Sequence, residues 1–352
     1  MWLLMAEPFG FYDALAQFGS PTGFWGRALE QFQHHPWRGL HFWDLVQPFF
    51  MFIAGVALAL SQRPRPVEVV IPTRAWRRII RRCALLFVFG LLLQCFGSRR
   101  FVWELWNVLS HLSLSLALGY FLLRYTIRVQ VWASLAPIAL SDLCYRAFQL
   151  RDSFSSQRNF GQVVDRLLMR KTNPEGWVAF SAVATSAHTI WGSVCGQLLQ
   201  REATGLTVSP TERRSPMMRA LFGWGALALL GGVLLDTLAL SPLVKRLGSA
   251  SFVLVGGGSA IIALVALHLW IDRPSPPGRW TAPVLAVGRN SLLVYLLSQT
   301  LGPLFVAVVR RVLIASSLVG PRAALFVAAT LGIVAMWQLC AWLDRRNIIV
   351  RV

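Results

Sequence analysis

The chain has 352 residues, of which 55% are hydrophobic and 14% charged, and 34 Lys and Arg against 15 Asp and Glu give a net charge of +19. Soluble domains have about 45–50% apolar and about 25% charged residues, so this composition excludes an ordinary soluble domain, a disordered chain and a small disulfide-stabilised scaffold. A basic chain with a mean hydropathy of +0.55 and 15 Trp is typical of a polytopic membrane protein with arginines at its helix ends, and not of a nucleic-acid-binding protein.

A membrane-spanning helix needs about 20 mostly apolar residues. In chain order the predicted spans are Phe42–Ser61, Cys83–Phe96, Val108–Leu123, Val131–Phe148, Trp177–Leu199, Met218–Leu238, Ser251–Ile271, Pro283–Val308 and Ala323–Leu343. Gly302-Pro303 interrupts the eighth span, which is predicted as one kinked helix or two short ones. Met1–Met5 resembles the end of a further helix. The predicted fold class is therefore an all-α membrane protein, a bundle of about 9–11 transmembrane helices in one domain over residues 1–352.

The loops predict the orientation of the bundle. The segment Gln62–Arg82 is predicted as a basic cytoplasmic loop because it carries arginines at positions 63, 65, 74, 77, 78, 81 and 82. Alternation of the spans then places residues 1–41 mostly outside, together with Gly97–Trp106 and Gln149–Gly176. We expect a multi-pass integral membrane protein whose partners are membrane lipids.

Sites of several other kinds are not indicated. The five cysteines are scattered singly without a CxxC pair, so neither a zinc site nor a disulfide framework is predicted, and we expect no metal. The Gly256–Gly258 run lies within an apolar segment, where close helix packing explains it better than phosphate binding.

Histidines cluster just before the first predicted span. Three of the six in the chain, His34, His35 and His41, lie there, and Asp44 occupies the first turn of the following helix. An acidic residue at that position complements the helix dipole, so N-terminal capping by itself accounts for Asp44. Position alone does not separate a catalytic His34 from a solvated loop histidine.

The residues from His34 to Ala57 match a longer pattern of His-x-x-Trp-x-Gly, Asp-Leu-Val-x-Pro and Phe-x-Phe-Ile-x-Gly-Val. They read HHPWRGLHFWDLVQPFFMFIAGVA. This stretch resembles the signature of the heparan-alpha-glucosaminide N-acetyltransferase family and its bacterial relatives. Shorter similarities follow in the family's order over nearly the full chain, at Asn173–Gly176, Gly192–Gly196, Pro242–Arg246, Ser251–Leu254, Gly288–Ser291 with Tyr295, and Arg345–Ile349.

The resemblance implies a transmembrane acetyltransferase. Such an enzyme binds acetyl-CoA as the acyl donor from the cytosolic side and passes the acetyl group to the amine of a glucosamine on the opposite side. The family's active histidine corresponds to His34, which keeps the spacing to Trp37. An amine nucleophile needs a base with a pKa near 7, as histidine supplies, and whether His34 acts only as the base or is transiently acetylated stays open. Asp44 would orient the imidazole and stabilise its cation.

Further residues are candidates for binding the two substrates. The resemblance favours Asn290, with Trp37, at the acceptor pocket, and Tyr295 continues a polar stripe from Asn290, for which interhelical hydrogen bonding is the alternative. His111 could line the same cavity or simply be solvated at the interface. The phosphates of acetyl-CoA need cationic partners, which could be supplied at helical spacing by Arg77, Arg78, Arg81 and Arg82. These arginines could equally be topology anchors that touch anionic lipid headgroups.

The chain also departs from the family. The Leu-Asp-x-x-Arg-Gly segment that opens the family's first spanning helix is not in the sequence, and we expect that helix to be truncated here. Glu7 stands roughly where many members have an Asn, and Arg38 replaces another common Asn. The expected activity is acetyl transfer to an amino sugar or related glycan. A glycan or lipid-glycan transporter, or a non-catalytic relative, is the alternative, and a homo-oligomer is left open.

Overall fold

The computed structural model describes residues 1–19, 23–62, 73–204, 210–271, 281–317 and 319–350. These residues form fourteen α-helices and two 3₁₀ turns, with no strand in the described ranges, so the predicted all-α class is confirmed. The helices are α1 Trp2–Ala6, α2 Phe11–Ala16, α3 Phe24–Glu30, α4 Val46–Leu60, α5 Thr73–Ser98, α6 Val108–Leu122, α7 Ile127–Phe148, α8 Phe160–Met169, α9 Ser181–Thr204, α10 Pro210–Thr237, α11 Ala250–Ile271, α12 Thr281–Arg289, α13 Ser291–Ala315 and α14 Pro321–Arg345. The 3₁₀ turns are Phe42–Leu45 and Lys245–Leu247.

Six helical segments are long and apolar enough to cross a membrane, which makes the chain a multi-pass membrane protein. They are Phe42–Leu60, Trp76–Ser98, Pro216–Thr237, Ala250–Ile271, Ser291–Ala315 and Pro321–Arg345. Each corresponds to one of the nine predicted spans. The other three predictions fall on α6, which has only 15 residues, and on α7 and α9, which have the length but are less apolar.

Two predicted boundaries are wrong. The predicted basic loop 62–82 is helical from Thr73 onward, so Arg77–Arg82 lie on the first turns of α5, while residues 63–72 lie outside the described ranges. The predicted span Pro283–Val308 is broken at Asn290 and not at Gly302-Pro303, since Pro303 lies inside α13. Asn290 leaves the helical conformation with φ −110° and ψ 32°, and its side chain binds backbone outside either helix, as described below.

The described chain packs as two compact units. Unit 1 comprises residues 1–33, 95–100 and 271–352, and unit 2 comprises residues 34–94 and 101–270. The single transmembrane domain over residues 1–352 stays a prediction.

Unit 2 is built on close contact between α4 and α9. A Cβ added to Gly192 would lie 1.9 Å from the Phe52 carbonyl oxygen, and one added to Gly55 would lie 2.0 Å from that of Thr189. Only glycine lets the two backbones approach so closely. Farther along, the Gln200 side chain donates to the Gln62 carbonyl at 2.6 Å. Between these contacts, a Cβ on Gly196 would lie 2.8 Å from the Val56 carbonyl oxygen, so from Phe52 and Gly192 to Gln62 and Gln200 both helices advance together and run parallel.

Neighbouring helices fix the two ends of unit 2. Helix α6 starts beside the start of α4, where His111 contacts Gln47 at 3.4 Å. The ring of Trp76, at the start of α5, meets that of Tyr120 at the other end of α6, 5.0 Å away. The beginning of α5 therefore lies at the opposite end of unit 2 from Asp44, which immediately precedes α4.

The Gly256–Gly258 run has the packing role that its apolar setting predicts. A Cβ on Gly257 would overlap the ring of Trp191 at 2.2 Å, and a Cβ on Gly258 would approach the Gly225 carbonyl at 2.6 Å. These glycines let α11 approach α9 and α10 within the core of unit 2.

Unit 1 packs α12, α13 and α14 around the N-terminal segment. Met5 and Phe9 are buried there with Val294, Ala328 and Cys340. The ring of Phe9 occupies the space beside Gly332, where an added Cβ would lie 2.4 Å from it.

Candidate functional site

The site residues of unit 2 lie on three connecting segments, and the first is the loop from His34 to Leu45. Asp44 is 1% exposed, and its Oδ2 accepts backbone hydrogen bonds from His41 at 2.9 Å and from His35 at 3.2 Å. Together with the His41 side chain it forms a capping box on the 3₁₀ turn that starts α4. The capping role predicted for Asp44 is thus present, but it uses only one carboxylate oxygen.

The other oxygen of Asp44 faces two nitrogen atoms. Oδ1 lies 3.1 Å from Nδ1 of His34 and 3.2 Å from Nζ of Lys245. The two nitrogens are themselves 3.0 Å apart. The His34 side chain is 40% exposed while that of Lys245 is 7% exposed, so a buried ion pair lies beneath an accessible imidazole.

The segment from Ser241 to Ser249 places Lys245. Ser249 closes this turn, because its hydroxyl accepts from the Val244 amide at 3.0 Å and its own amide donates to the Val244 carbonyl at 3.2 Å. Gly248 has φ +64°, a conformation that glycine adopts without strain. The turn is tied to the histidine loop, since the Gly39 amide donates to the Leu243 carbonyl at 2.9 Å.

Arg38 provides a second tie between the same segments. Its guanidinium binds the Asp236 carboxylate at 3.2 Å and the Asp236 carbonyl at 3.0 Å. The same carboxylate oxygen accepts from the Leu243 amide at 2.9 Å. This departure from the family pattern therefore has a structural role beside the site.

The third segment, residues 170–180 between α8 and α9, contributes Trp177. Its ring meets that of His34 edge-on with centroids 5.2 Å apart, and it also lies near two cations, with Lys245 Nζ at 5.5 Å and Arg246 Cζ at 5.4 Å from its centroid. Its indole N–H donates to the Glu175 carboxylate at 3.0 Å, and Arg246 donates to the Glu175 carbonyl. The Trp177 ring thus forms a wall beside His34. Its hydrogen bond to Glu175, which Arg246 also contacts, holds the ring in place.

Burial dominates the electrostatics of the site. Burial lowers the pKa of His34 below its ordinary value; the hydrogen bond to Asp44 opposes this, and the positive charge of Lys245 adds to the lowering. Burial also lowers the pKa of Lys245 to about 8, against the attraction of Asp44. At neutral pH the imidazole is therefore neutral and Lys245 is charged.

This arrangement is suited to proton transfer and nucleophilic attack. The imidazole Nδ1 is engaged below by Asp44 and Lys245, so Nε2 is the nitrogen available to a bound molecule. A neutral histidine oriented by a carboxylate is the arrangement that general-base and nucleophilic catalysis use.

Trp37, predicted at the acceptor pocket, is half-buried and packs on the third segment and on residues 149–159 between α7 and α8. Its indole N–H donates to the Phe154 carbonyl at 3.0 Å. Its ring covers Gly176, where an added Cβ would lie 2.7 Å away and where φ is +83°. Trp37 thereby holds the loop that carries Trp177.

His111 is buried, 4% exposed, at the start of α6, with Nδ1 3.4 Å from the Gln47 amide. Solvation at the interface, the alternative to a cavity-lining role, does not apply to a side chain this buried. Gln47 lies one helical turn beyond Asp44, which places His111 deeper in unit 2 than His34.

Asn290 and Tyr295 belong to unit 1. Both are buried, and the Asn290 side chain binds the C-terminal segment, accepting from the Val350 amide at 2.9 Å and donating to the Ile348 carbonyl at 3.3 Å. Two short similarities to the family, at Gly288–Ser291 and Arg345–Ile349, thus meet in the fold. A role of Asn290 or Tyr295 in the acceptor pocket stays a prediction.

The predicted donor-binding arginines lie on the first turns of α5. Arg77, Arg78 and Arg81 are exposed, and Arg82 is half-buried with an Nε that has no hydrogen-bond partner among the described residues. They lie at the end of unit 2 opposite His34, as the Trp76–Tyr120 contact shows.

Lys245 is the functional candidate that the sequence did not single out. It lies in the Pro242–Arg246 similarity, yet no role was assigned to it. The available signal was composition, because the chain contains only two lysines, Lys171 and Lys245, among its 34 basic residues. The difference from arginine matters at Lys245, because an ammonium group can lose its proton when buried whereas a guanidinium does not.

Within the described ranges no group of three His, Cys, Asp or Glu side chains could hold a metal ion. No protein-family model matches the chain, and no curated protein matches it.

Proposed function

We propose that the protein is a membrane acyltransferase that moves an acetyl group from acetyl-CoA on the cytoplasmic side to the amine of an amino sugar or related glycan on the opposite side. The resemblance of His34–Ala57 to the heparan-alpha-glucosaminide N-acetyltransferase family supplies the two substrates. The bacterial inner membrane is the proposed location, with the histidine loop on its outer side.

One observation carries the proposal: an accessible His34 rests on the buried carboxylate of Asp44 at 3.1 Å. The carboxylate fixes the ring, and Nε2 removes the proton of the attacking amine or carries the acetyl group itself. Positioned proton transfer of this kind contributes about 10²–10⁴-fold to a rate.

The two ends of unit 2 suit the two substrates. The arginines of α5 are proposed to bind the phosphates of acetyl-CoA at one end, while His34 receives the acceptor at the other. The 15 residues of α4 separate these ends by about 22 Å at 1.5 Å per residue. The thioester end of acetyl-CoA would therefore extend along this length to reach His34.

The walls around His34 suit a sugar amine. The Trp177 ring beside His34 offers an apolar face, and Glu175 offers a carboxylate that would attract the ammonium group of an amino sugar. Trp37 and His111 remain proposed further acceptor contacts within unit 2, and the roles that the resemblance gives to Asn290 and Tyr295 stay predictions.

Sealed proteoliposomes test this function. The vesicles contain [¹⁴C]acetyl-CoA on the side of the α5 arginines, and glucosamine is added on the other side. We expect labelled N-acetylglucosamine on the acceptor side without release of acetyl-CoA. Labelled product that forms only when both substrates share one side would contradict transfer across the membrane, and uptake of unmodified glucosamine would instead indicate transport.

A further inference from the structure

Nδ1 of His34 faces one acceptor and one donor. Asp44 Oδ1, an acceptor, is 3.1 Å away, and Lys245 Nζ, which as an ammonium group is only a donor, is 3.0 Å away. A protonated Nδ1 donates to the carboxylate, while an unprotonated Nδ1 accepts from the ammonium group. The two hydrogen bonds cannot form together, so the site has two alternative states.

The states differ in what Nε2 can do. While Lys245 is an ammonium group and donates to Nδ1, the single proton of the neutral imidazole is on Nε2, which is then a donor. When Lys245 is a neutral amine, Nδ1–H donates to Asp44, and Nε2 carries a lone pair that can accept a proton. We propose that Lys245 is a positioning residue whose protonation state selects the tautomer of His34, so that Nε2 is a base only when Lys245 has given up its proton.

The proposal rests on the acyltransfer function, and it accounts for every proton in one transfer. The amine nitrogen forms the bond to the acyl carbon, the C–S bond breaks, and its electron pair goes to sulfur. The proton of the amine goes to Nε2, and the Asp44 carboxylate stabilises the imidazolium that forms through Nδ1–H. The Nε2 proton then goes to the thiolate, which restores the base form and releases a thiol.

The surroundings allow Lys245 to lose its proton. It is 7% exposed, and burial lowers its pKa to about 8, close enough to neutrality for exchange with an imidazole. The charged and titratable groups on the elements packed around the pair are Asp44, His35, His41, Arg38 with Asp236, Arg246 and Glu175. Of these, Asp44 favours the charged lysine and Arg246 opposes it.

The tautomer can be read without an activity assay. In ¹⁵N-histidine-labelled protein, with the His34 signals assigned by their loss in His34→Gln, we expect Nε2–H at pH 6.5–7 and a change to Nδ1–H as the pH passes about 8. Lys245→Met should show Nδ1–H already at pH 7, and Lys245→Arg should keep Nε2–H wherever the imidazole is neutral because a guanidinium does not deprotonate. The same tautomer in all three proteins would overturn the proposal.

The rate of acetyl transfer provides a second readout, because the proposal predicts that the variant without a charge is more active than the variant that keeps it. Lys245→Met should remain active and show its acid limb at lower pH than the wild type, whereas Lys245→Arg should lose about 10²-fold or more despite keeping the charge. A lysine needed only for its charge or its packing gives the reverse order, and that result would overturn the proposal. Lys171→Met and Lys171→Arg, at the other lysine, are the matched controls and should leave both readouts unchanged. If His34→Ala retains full acetyl transfer, the proposed function fails while the tautomer result stands by itself.

Discussion

Lys245 and His34 are 211 positions apart in the sequence, yet their Nζ and Nδ1 atoms lie 3.0 Å apart and share Oδ1 of Asp44. Two glycine-containing connections bring them together, the Gly39 loop and the Gly248 turn. The result is a charged pair buried beneath a histidine that a substrate can reach.

Breaking this buried pair on one side should be costly. Asp44→Asn leaves the Lys245 ammonium group without its counter-charge, and we expect the free energy of unfolding to fall by about 3–5 kcal/mol. Adding Lys245→Met should restore most of the loss, because both charges are then gone. Denaturation of the purified single and double variants measures the coupling, and additive effects would show that the two side chains do not interact.

Lys245 should also leave a signature in the pH dependence of stability. Its pKa is lowered from 10.5 to about 8, so between these values the unfolded chain holds a proton that the native protein has released. Stability from this group therefore rises with pH across that window. The Tm of the wild type minus that of Lys245→Met should increase from pH 8 to pH 10. Lys171→Met, which removes a lysine whose side chain is 37% exposed, is the matched control.

Gly176 should be irreplaceable in the loop of Trp177. Its φ of +83° disfavours any L side chain, and the Trp37 ring lies 2.7 Å from the position of a Cβ. We expect Gly176→Ala to lower the free energy of unfolding by about 1–3 kcal/mol and to reduce acetyl transfer by displacing Trp177. Gly223→Ala in α10, where a Cβ meets nothing within 4 Å, should be neutral or stabilising.

The contact between α4 and α9 should tolerate no side chain at Gly192. A Cβ there would lie 1.9 Å from a backbone oxygen of Phe52, which cannot move aside as a side chain could. Gly192→Ala must separate the two helices, and we expect a loss of at least about 1–3 kcal/mol and a lower yield of folded protein. A thermal shift assay measures this loss against the control Gly231→Ala, at a position where an added Cβ has no described atom within 4 Å. Equal Tm values for the two variants would contradict the packing described.

The arginines of α5 should affect the binding of acetyl-CoA and not that of the acceptor. Replacing the exposed Arg77, Arg78 and Arg81 by Gln should raise KM for acetyl-CoA about 10-fold or more, since each removes a charge-assisted phosphate contact, and should leave KM for glucosamine unchanged. Arg310→Gln with Arg311→Gln, exposed on α13, is the control. If KM for acetyl-CoA is unaffected in the triple variant, these arginines are lipid anchors.

Apolar run length was enough to predict most of the fold. Six predicted spans correspond to long apolar helices because a helix facing lipid must be apolar over its whole length. Helix α9 was harder to delimit, since it buries hydroxyl side chains such as Thr189, which bonds to Ser115 and to the Met51 carbonyl. The break at Asn290 was missed because it depends on a partner at Val350, 60 residues away.

Only part of the candidate site could be predicted from the sequence. The spacing of His34 and Asp44 lies within one motif, and their contact follows from local loop geometry. Lys245 joins the site only through a tertiary contact between two loops. In the sequence alone, a lysine beside an apolar stretch looks like a basic residue that marks the end of a membrane span. Trp37 was predicted as a substrate contact, while its hydrogen bond to Phe154 also makes it a support for the Trp177 loop.

The most direct test of the central claim is acetyl transfer by His34→Ala beside His35→Ala. The two histidines are neighbours on one loop, but only the side chain of His34 contacts the Asp44 carboxylate. With [¹⁴C]acetyl-CoA and glucosamine, we expect His34→Ala to lose at least about 10²-fold in rate and His35→Ala to stay close to the wild type, both with wild-type far-UV circular dichroism. Unchanged transfer by a folded His34→Ala would contradict the account.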